Sequence, residues 1–133
     1  MTEFVPTAWV RTNCPYSFKF RLFVVEAELA EKFHFVPMNP GSKDFEEIKS
    51  QIEHRSGRKA QFPTVEVAPG TFMTDSDELI EYFAAQYGKS ANELETLSFY
   101  RNGIFLCYVE MFSILARPLG WIARLGRRPF AFR

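Results

Sequence analysis

This chain is poor in the residues that build covalent or metal-held scaffolds. Its 133 residues include two cysteines, Cys14 and Cys107, and two histidines, His34 and His54. Two cysteines in unlike settings exclude a disulfide framework and suit a reducing compartment, so a cytoplasmic location is expected. No Cys/His cluster has zinc spacing, so no metal site is expected. Neither sign of charge is in excess, with 16 Lys+Arg against 16 Asp+Glu, and nothing global points to a nucleic-acid partner. The first ten residues lack the charged-then-apolar order of a secretory signal. There is no internal repeat and no low-complexity segment. The length suits one domain with a sizeable core and is too short for two ordinary ones.

Neutrality hides an asymmetry. Residues 1–88 carry 9 Lys+Arg and 13 Asp+Glu, net −4, whereas residues 89–133 carry 7 and 3, net +4. The division at Gly88 recurs in the pattern of elements. Before it, the periodicities read β-α-β-α-β-β-α. A strand at Ala8–Val10 is followed by a helix over 15–31, with Phe18, Leu22, Val25 and Leu29 as a stripe and Phe20, Phe23 and Val24 widening the apolar surface, so that the helix is largely buried. A second strand, 33–36, stops at Pro37 and the Asn39-Pro40-Gly41 turn. A polar helix over 43–56 buries Phe45, Ile48 and Ile52, and Gly57 caps it. Strands at 62–67 and 71–73 form a hairpin through Pro69-Gly70. Asp75 and Glu78 have capping-box spacing for a last helix whose core face is Leu79, Ile80, Phe83, Ala84 and Tyr87. After Gly88 a single long helix is expected over 91–116, then a short amphipathic one over 119–128 with Trp121, Ile122 and Leu125 on one face.

The segment that carries chemistry is Thr12-Asn13-Cys14-Pro15-Tyr16-Ser17. Proline is favoured in the first turn of a helix, which puts Cys14 at a helix N-terminus. There, unpaired backbone N–H groups and the helix dipole favour the thiolate, the reactive form of cysteine. Arg11 is a second source of positive charge if its side chain turns inward.

Four motifs, in order and on the right elements, make residues 8–88 resemble the N-terminal domain of glutathione S-transferases, in the branch that shades into glutaredoxins. Cys14-Pro15-Tyr16-Ser17 is similar to the Cys-Pro-Tyr-Cys/Ser site of glutaredoxins and the Cys-Pro-Phe-Ser/Ala site of cysteine-type transferases. Arg11 stands where glutaredoxins carry a lysine. Phe62-Pro63 resembles the family's cis-proline dipeptide before the third strand. Thr74-Asp75-Ser76-Asp77-Glu78-Leu79 resembles the acidic-Ser helix cap that holds the γ-glutamyl end of glutathione.

The resemblance implies an α/β, thioredoxin-like fold over 1–88, with a helical extension over 89–133. It implies glutathione as co-substrate, gripped by Pro15, Tyr16, Phe62, Pro63, Asp75 and Ser76, with Lys59 or Arg58 for the glycine carboxylate. Cys14 is then the nucleophile; Ser17 is either a hydrogen-bond donor to the thiolate or an ordinary first-turn serine, and Arg11 either an electrostatic support or a solvated charge at the strand end. Ser17 replaces a resolving cysteine and cannot close a disulfide, so the chemistry is monothiol, on a thiol, disulfide or electrophilic small molecule.

Only 45 residues follow Gly88, against a helical domain of over a hundred in full transferases, so an incomplete hydrophobic substrate pocket is expected, which favours thiol–disulfide chemistry or a binding role over conjugation of bulky electrophiles. Two alternatives stay open: a non-catalytic glutathione-binding or interaction module, and iron–sulfur cluster binding by paired Cys14 thiolates. The tail is apolar from Gly103 to Ile122, but Glu110, Arg117 and Pro118 argue against a membrane span. It packs on the domain, forms the seam of a homodimer, or lies on an anionic membrane surface with its arginines. Cys107 is expected to be a buried structural thiol.

Overall fold

The computed structural model describes residues 3–115. Nine elements follow one another: β1 (Thr7–Arg11), α1 (Pro15–Glu26), β2 (His34–Met38), α2 (Phe45–Ser56), β3 (Thr64–Ala68), β4 (Thr71–Met73), α3 (Ser76–Gln86), α4 (Glu95–Phe99) and α5 (Phe105–Leu115). The four strands make one sheet in the order β2-β1-β3-β4. β1 and β2 run parallel around α1, while β3 is antiparallel to both β1 and β4. This is the thioredoxin-like α/β architecture, with a helical extension.

Alternation along the strands divides the core between two faces. Ala8, Val65 and Val67 face α1 and α3 and join Phe20, Phe23, Val24, Leu79, Ile80 and Phe83. Trp9 and Met38 point the other way, to Phe45 and Ile52 of α2. Both faces of the sheet are therefore covered, and the end of β1, the start of β3 and the start of α3 converge beside the start of α1.

The buried face of α1 is Phe20, Phe23 and Val24, continued by Ala27 at its C-cap, and Leu22 packs against it; Phe18 and Val25 of the expected stripe fall outside it. Phe18 is 49% and Val25 60% exposed. Leu29 is buried all the same, but it lies beyond the helix, which stops five residues early. Glu28 takes a left-handed conformation at φ 63°, its N–H bonds to the Val25 carbonyl, and the Leu29 N–H reaches back to the Val24 carbonyl. These bonds define a Schellman stop, usually built on glycine. β2 continues through Pro37 to Met38 because it is an edge strand, where a missing donor is tolerated. Gly57 caps α2 as expected, at φ 77°.

The extension differs most. A short 3-10 turn at Ala91–Glu93 precedes α4, and a π-helical turn over Tyr100–Ile104 separates α4 from α5. Leu97 is fully buried in the core shared by α1 and α3. The N-terminus of α4 is capped from a distance: the Glu26 carboxylate accepts the Thr96 N–H at 2.9 Å and the Leu97 N–H at 2.8 Å. Burial acts to raise the Glu26 carboxyl, but those hydrogen bonds outweigh it and hold it below the usual carboxylate value. Beyond the π turn no residue of α5 is fully buried, and Leu106, Met111, Ile114 and Leu115 are exposed. Cys107 is also exposed, contrary to expectation: α5 meets the domain by one narrow side, and Cys107 lies off it. Among the described residues no helix is long and apolar enough to cross a membrane. The expected helix over 119–128, with Trp121, Ile122 and Leu125, lies outside the described residues.

Candidate functional site

Asn13, at φ 57°, turns the chain out of β1 and into α1. Asparagine accepts this left-handed conformation more readily than most residues. The turn leaves Cys14 as the N-cap of α1, in extended conformation, with Pro15 as the first helical residue. The Cys14 sulfur accepts the Ser17 backbone N–H at 3.5 Å and, as a thiol, donates to the Phe62 carbonyl at 3.9 Å. The Phe62-Pro63 bond is cis, as the resemblance implied.

Of the two roles open to Ser17, hydroxyl donation to the sulfur is not the one observed. Its N–H, not its hydroxyl, meets the sulfur, and its hydroxyl accepts the Arg11 backbone N–H at 3.0 Å. That bond ties the end of β1 to the first turn of α1. Pro15, Ser17 and Pro63 are buried supports beneath the site.

Cys14 is 3% exposed, yet it lines an open cavity of about 650 Å3. Arg11, Tyr16, Phe62, Asp75 and Ser76 line the same cavity. Asp75 is the N-cap of α3, and its Oδ1 accepts the Asp77 and Glu78 N–H groups at 2.9 and 3.1 Å. Capping of the helix and a place in the cavity wall thus coincide at Asp75. Lys59 is not among the lining residues, and Arg58 is committed to the Phe72 carbonyl at 2.9 Å. Lys49, on α2, does line the cavity. A lysine on the polar face of a helix gives no signal in the sequence that it faces a cavity.

A second group of residues was missed. Lys19 is almost fully buried, with 4% of its side chain exposed. Its ammonium lies 3.0 Å from Asp77 and 4.1 Å from the centre of the Phe105 ring. Asp77, 62% exposed, also meets Arg101 at 3.1 Å. Its role goes beyond a favourable first-turn acid. Burial alone raises the Asp77 carboxyl, but the hydrogen bond and charge of Lys19, followed by Arg101, hold it below the usual value.

The π turn supplies the remaining wall. The Tyr100 hydroxyl donates to the Pro15 carbonyl at 2.7 Å, Phe105 meets Tyr16 edge-on at 5.6 Å, and Phe112 sits 5.0 Å from the Arg11 guanidinium. Burial, then Tyr108, then the charge on Cys14 push the Tyr100 phenol well up, and burial and Cys14 push Tyr108 up. The intervals between Tyr100, Phe105 and Phe112 do not form a regular α-helical stripe, and only a π turn brings them to one side. Among the described residues no group of three or more His, Cys, Asp or Glu is placed to hold a metal.

A comparison with curated proteins finds no match. Among solved structures, a possible glutathione S-transferase from Rhodopseudomonas palustris is 23% identical, with a TM-score of 0.45; the match covers 65% of this chain and 42% of that one. The chain thus spans less than half the length of that protein. The family model for the glutathione S-transferase N-terminal domain matches residues 11–91, from Arg11 at the end of β1 through α3 and on to Ala91. That interval is more than half of the chain and holds Cys14, the cis Pro63 and the Asp75-Ser76 cap, and the chain belongs to the glutathione S-transferase N-terminal domain family.

Proposed function

We propose that this protein is a glutathione-dependent monothiol oxidoreductase or transferase with Cys14 as its nucleophile. The observation that carries the reading is the seat of the Cys14 sulfur. It caps α1, accepts a backbone N–H, and faces a cavity whose far wall is the start of α3.

The cavity suits glutathione at three points. Its volume of about 650 Å3 falls within the usual range for small-molecule sites. The N-terminus of α3, with Ser76, offers N–H and hydroxyl donors to the α-carboxylate of the γ-glutamyl group, and Asp75 offers a charge to its ammonium. Lys49 offers a cation to the glycine carboxylate, a role the sequence had assigned to Lys59.

In the proposed reaction the Cys14 thiolate attacks the glutathione sulfur of a glutathionylated disulfide. A Cys14–sulfur bond forms, the original S–S bond breaks, and the departing thiolate takes a proton from water. A second glutathione supplies the thiol that releases Cys14, leaving as oxidised glutathione. Ser17 holds the loop and donates its N–H to the sulfur throughout, and no second cysteine stands near it in the sequence to interrupt the cycle.

The test is glutathione-coupled reduction of a mixed disulfide by wild type and by Cys14→Ser. Loss of at least a hundredfold in rate, with glutathione affinity retained, is expected. Equal rates would overturn catalysis by Cys14 and leave a glutathione-binding module.

A further inference from the structure

A second cavity of about 310 Å3 adjoins the first, on the other side of Arg11. Arg11, Thr12, Asn13 and Asn39 form its polar part, and Phe112 and Leu115 its apolar part. Among the described residues no acidic side chain lines it. Arg11 and Phe112 belong to both cavities, so the guanidinium stands in the partition between them.

The state of that guanidinium is unusual. Its Nε is buried and has no hydrogen-bond partner among the described residues. The three ion pairs found among those residues engage Lys19, Arg55 and Arg101, and none engages Arg11. Its visible neighbour is the face of Phe112, 5.0 Å away, which attracts the cation but accepts none of its in-plane N–H donors. Nε is sealed from both cavities, so the Nη groups are the donors that a ligand could reach. The guanidinium edge matches the two oxygens of a carboxylate.

We infer that the second cavity binds a small organic carboxylate, its carboxyl on the Arg11 guanidinium and its apolar body against Phe112 and Leu115. A volume near 310 Å3 is at the lower end for ligand sites and favours a small acid over a peptide. The amides of Asn13 and Asn39 add neutral donors near the carboxyl end.

The test uses the full chain and phenylacetate as probe, with phenylacetamide as its neutral isostere and acetate as the acid without an apolar body. Binding is measured by calorimetry or ligand-observed NMR, with and without saturating glutathione. Phenylacetate should bind at least about tenfold more tightly than either control, with or without glutathione. Arg11→Gln should remove the preference over phenylacetamide. Asn39→Asp keeps the side-chain oxygen that accepts the Gly41 N–H at 3.1 Å, so the loop should be retained. It places a negative charge in the second cavity alone and should weaken phenylacetate about tenfold while leaving phenylacetamide unchanged.

Equal binding of phenylacetate and phenylacetamide would overturn the proposal, as would acetate binding as tightly as phenylacetate. Displacement of the probe by glutathione would also overturn it, by placing the Arg11 carboxylate site in the first cavity. So would a preference that survives both substitutions. Because binding is read directly, an inactive enzyme that still distinguishes the probes would sink the catalytic reading and leave this site intact.

Discussion

Removing either member of the Lys19–Asp77 pair should have very different costs. The Lys19 side chain is 4% exposed and the Asp77 side chain 62%. In Asp77→Asn the buried ammonium loses its counter-charge and keeps a neutral amide oxygen and the Phe105 and Tyr16 rings, at 4.1 and 6.0 Å. Stranding a buried charge in this way costs about 3 kcal/mol. In Lys19→Met the stranded partner is Asp77, which keeps Arg101 at 3.1 Å and reaches water. The methionine fills most of the same volume against Phe105. That change loses a modest cation–π contact and a screened ion pair and relieves the desolvation of the ammonium, for a net effect within about 1 kcal/mol of zero.

The double variant should then be more stable than Asp77→Asn alone, by about 2 kcal/mol, because no buried ammonium remains. Urea denaturation followed by circular dichroism, on wild type and all three variants at neutral pH, measures the cycle. If Asp77→Asn costs no more than Lys19→Met, or if the double variant is strictly additive, the stranded ammonium is not the source of the instability. Acid supplies a second reading. The Asp77 carboxyl is held below its ordinary value of 3.8, so its contribution is fully present above that pH and fades as the pH falls through the lowered folded value. Lys19→Met should flatten that acid limb.

Three further outcomes are expected. Glu26→Ala removes the distant cap of α4 and should cost about 1–2 kcal/mol; since the Glu26 carboxyl is held below its ordinary 4.5, the wild-type advantage should shrink as the pH falls below that value, which denaturation at pH 7 and pH 3 would show. Glu28→Gly should stabilise the protein by about 0.5–1 kcal/mol in thermal or urea denaturation, because relief of the left-handed conformation exceeds the added chain entropy. Lys49→Gln should weaken glutathione binding about tenfold in calorimetry and Lys59→Gln should leave it unchanged; the reverse ranking would return the glycine carboxylate to the loop before β3.

The parts of the fold legible in the sequence are those written in neighbouring residues. Pro15 after Cys14, Gly57 after α2, and Asp75 ahead of Asp77 and Glu78 are local signals, and each marks its boundary correctly. The face of α1 was obscured because apolar residues surround it, so a period of 3.6 fits more than one stripe and only the partner chooses. Its early end was hidden because Glu28 fills a position where glycine is the usual signal. Glu26 gives no sign of capping a helix 70 residues away. The cysteine end of the candidate site was similarly visible, since Cys14 and its supports are contiguous. Lys19, Lys49 and the aromatic wall after Tyr100 were not visible, because they join the site through helix rotation and a π turn.

That π turn acts as a phase shifter. Relative to an unbroken α-helix it inserts one residue, and each residue advances the helix by roughly 100°. Everything from Phe105 onward is thereby rotated by more than a quarter turn, at the cost of one position. Deleting Gly103, which lies within the turn and meets no neighbour closely, would return α4 and α5 to a single register. Leu97 and Tyr100 would stay where they are, while Phe105 and Phe112 would swing away from Lys19 and Arg11. The composition of the site would be nearly unchanged, yet its wall would be lost. A single inserted residue outside the family domain therefore decides whether α5 faces the cysteine or turns from it, a larger change than substitution of any one side chain on the helix would bring.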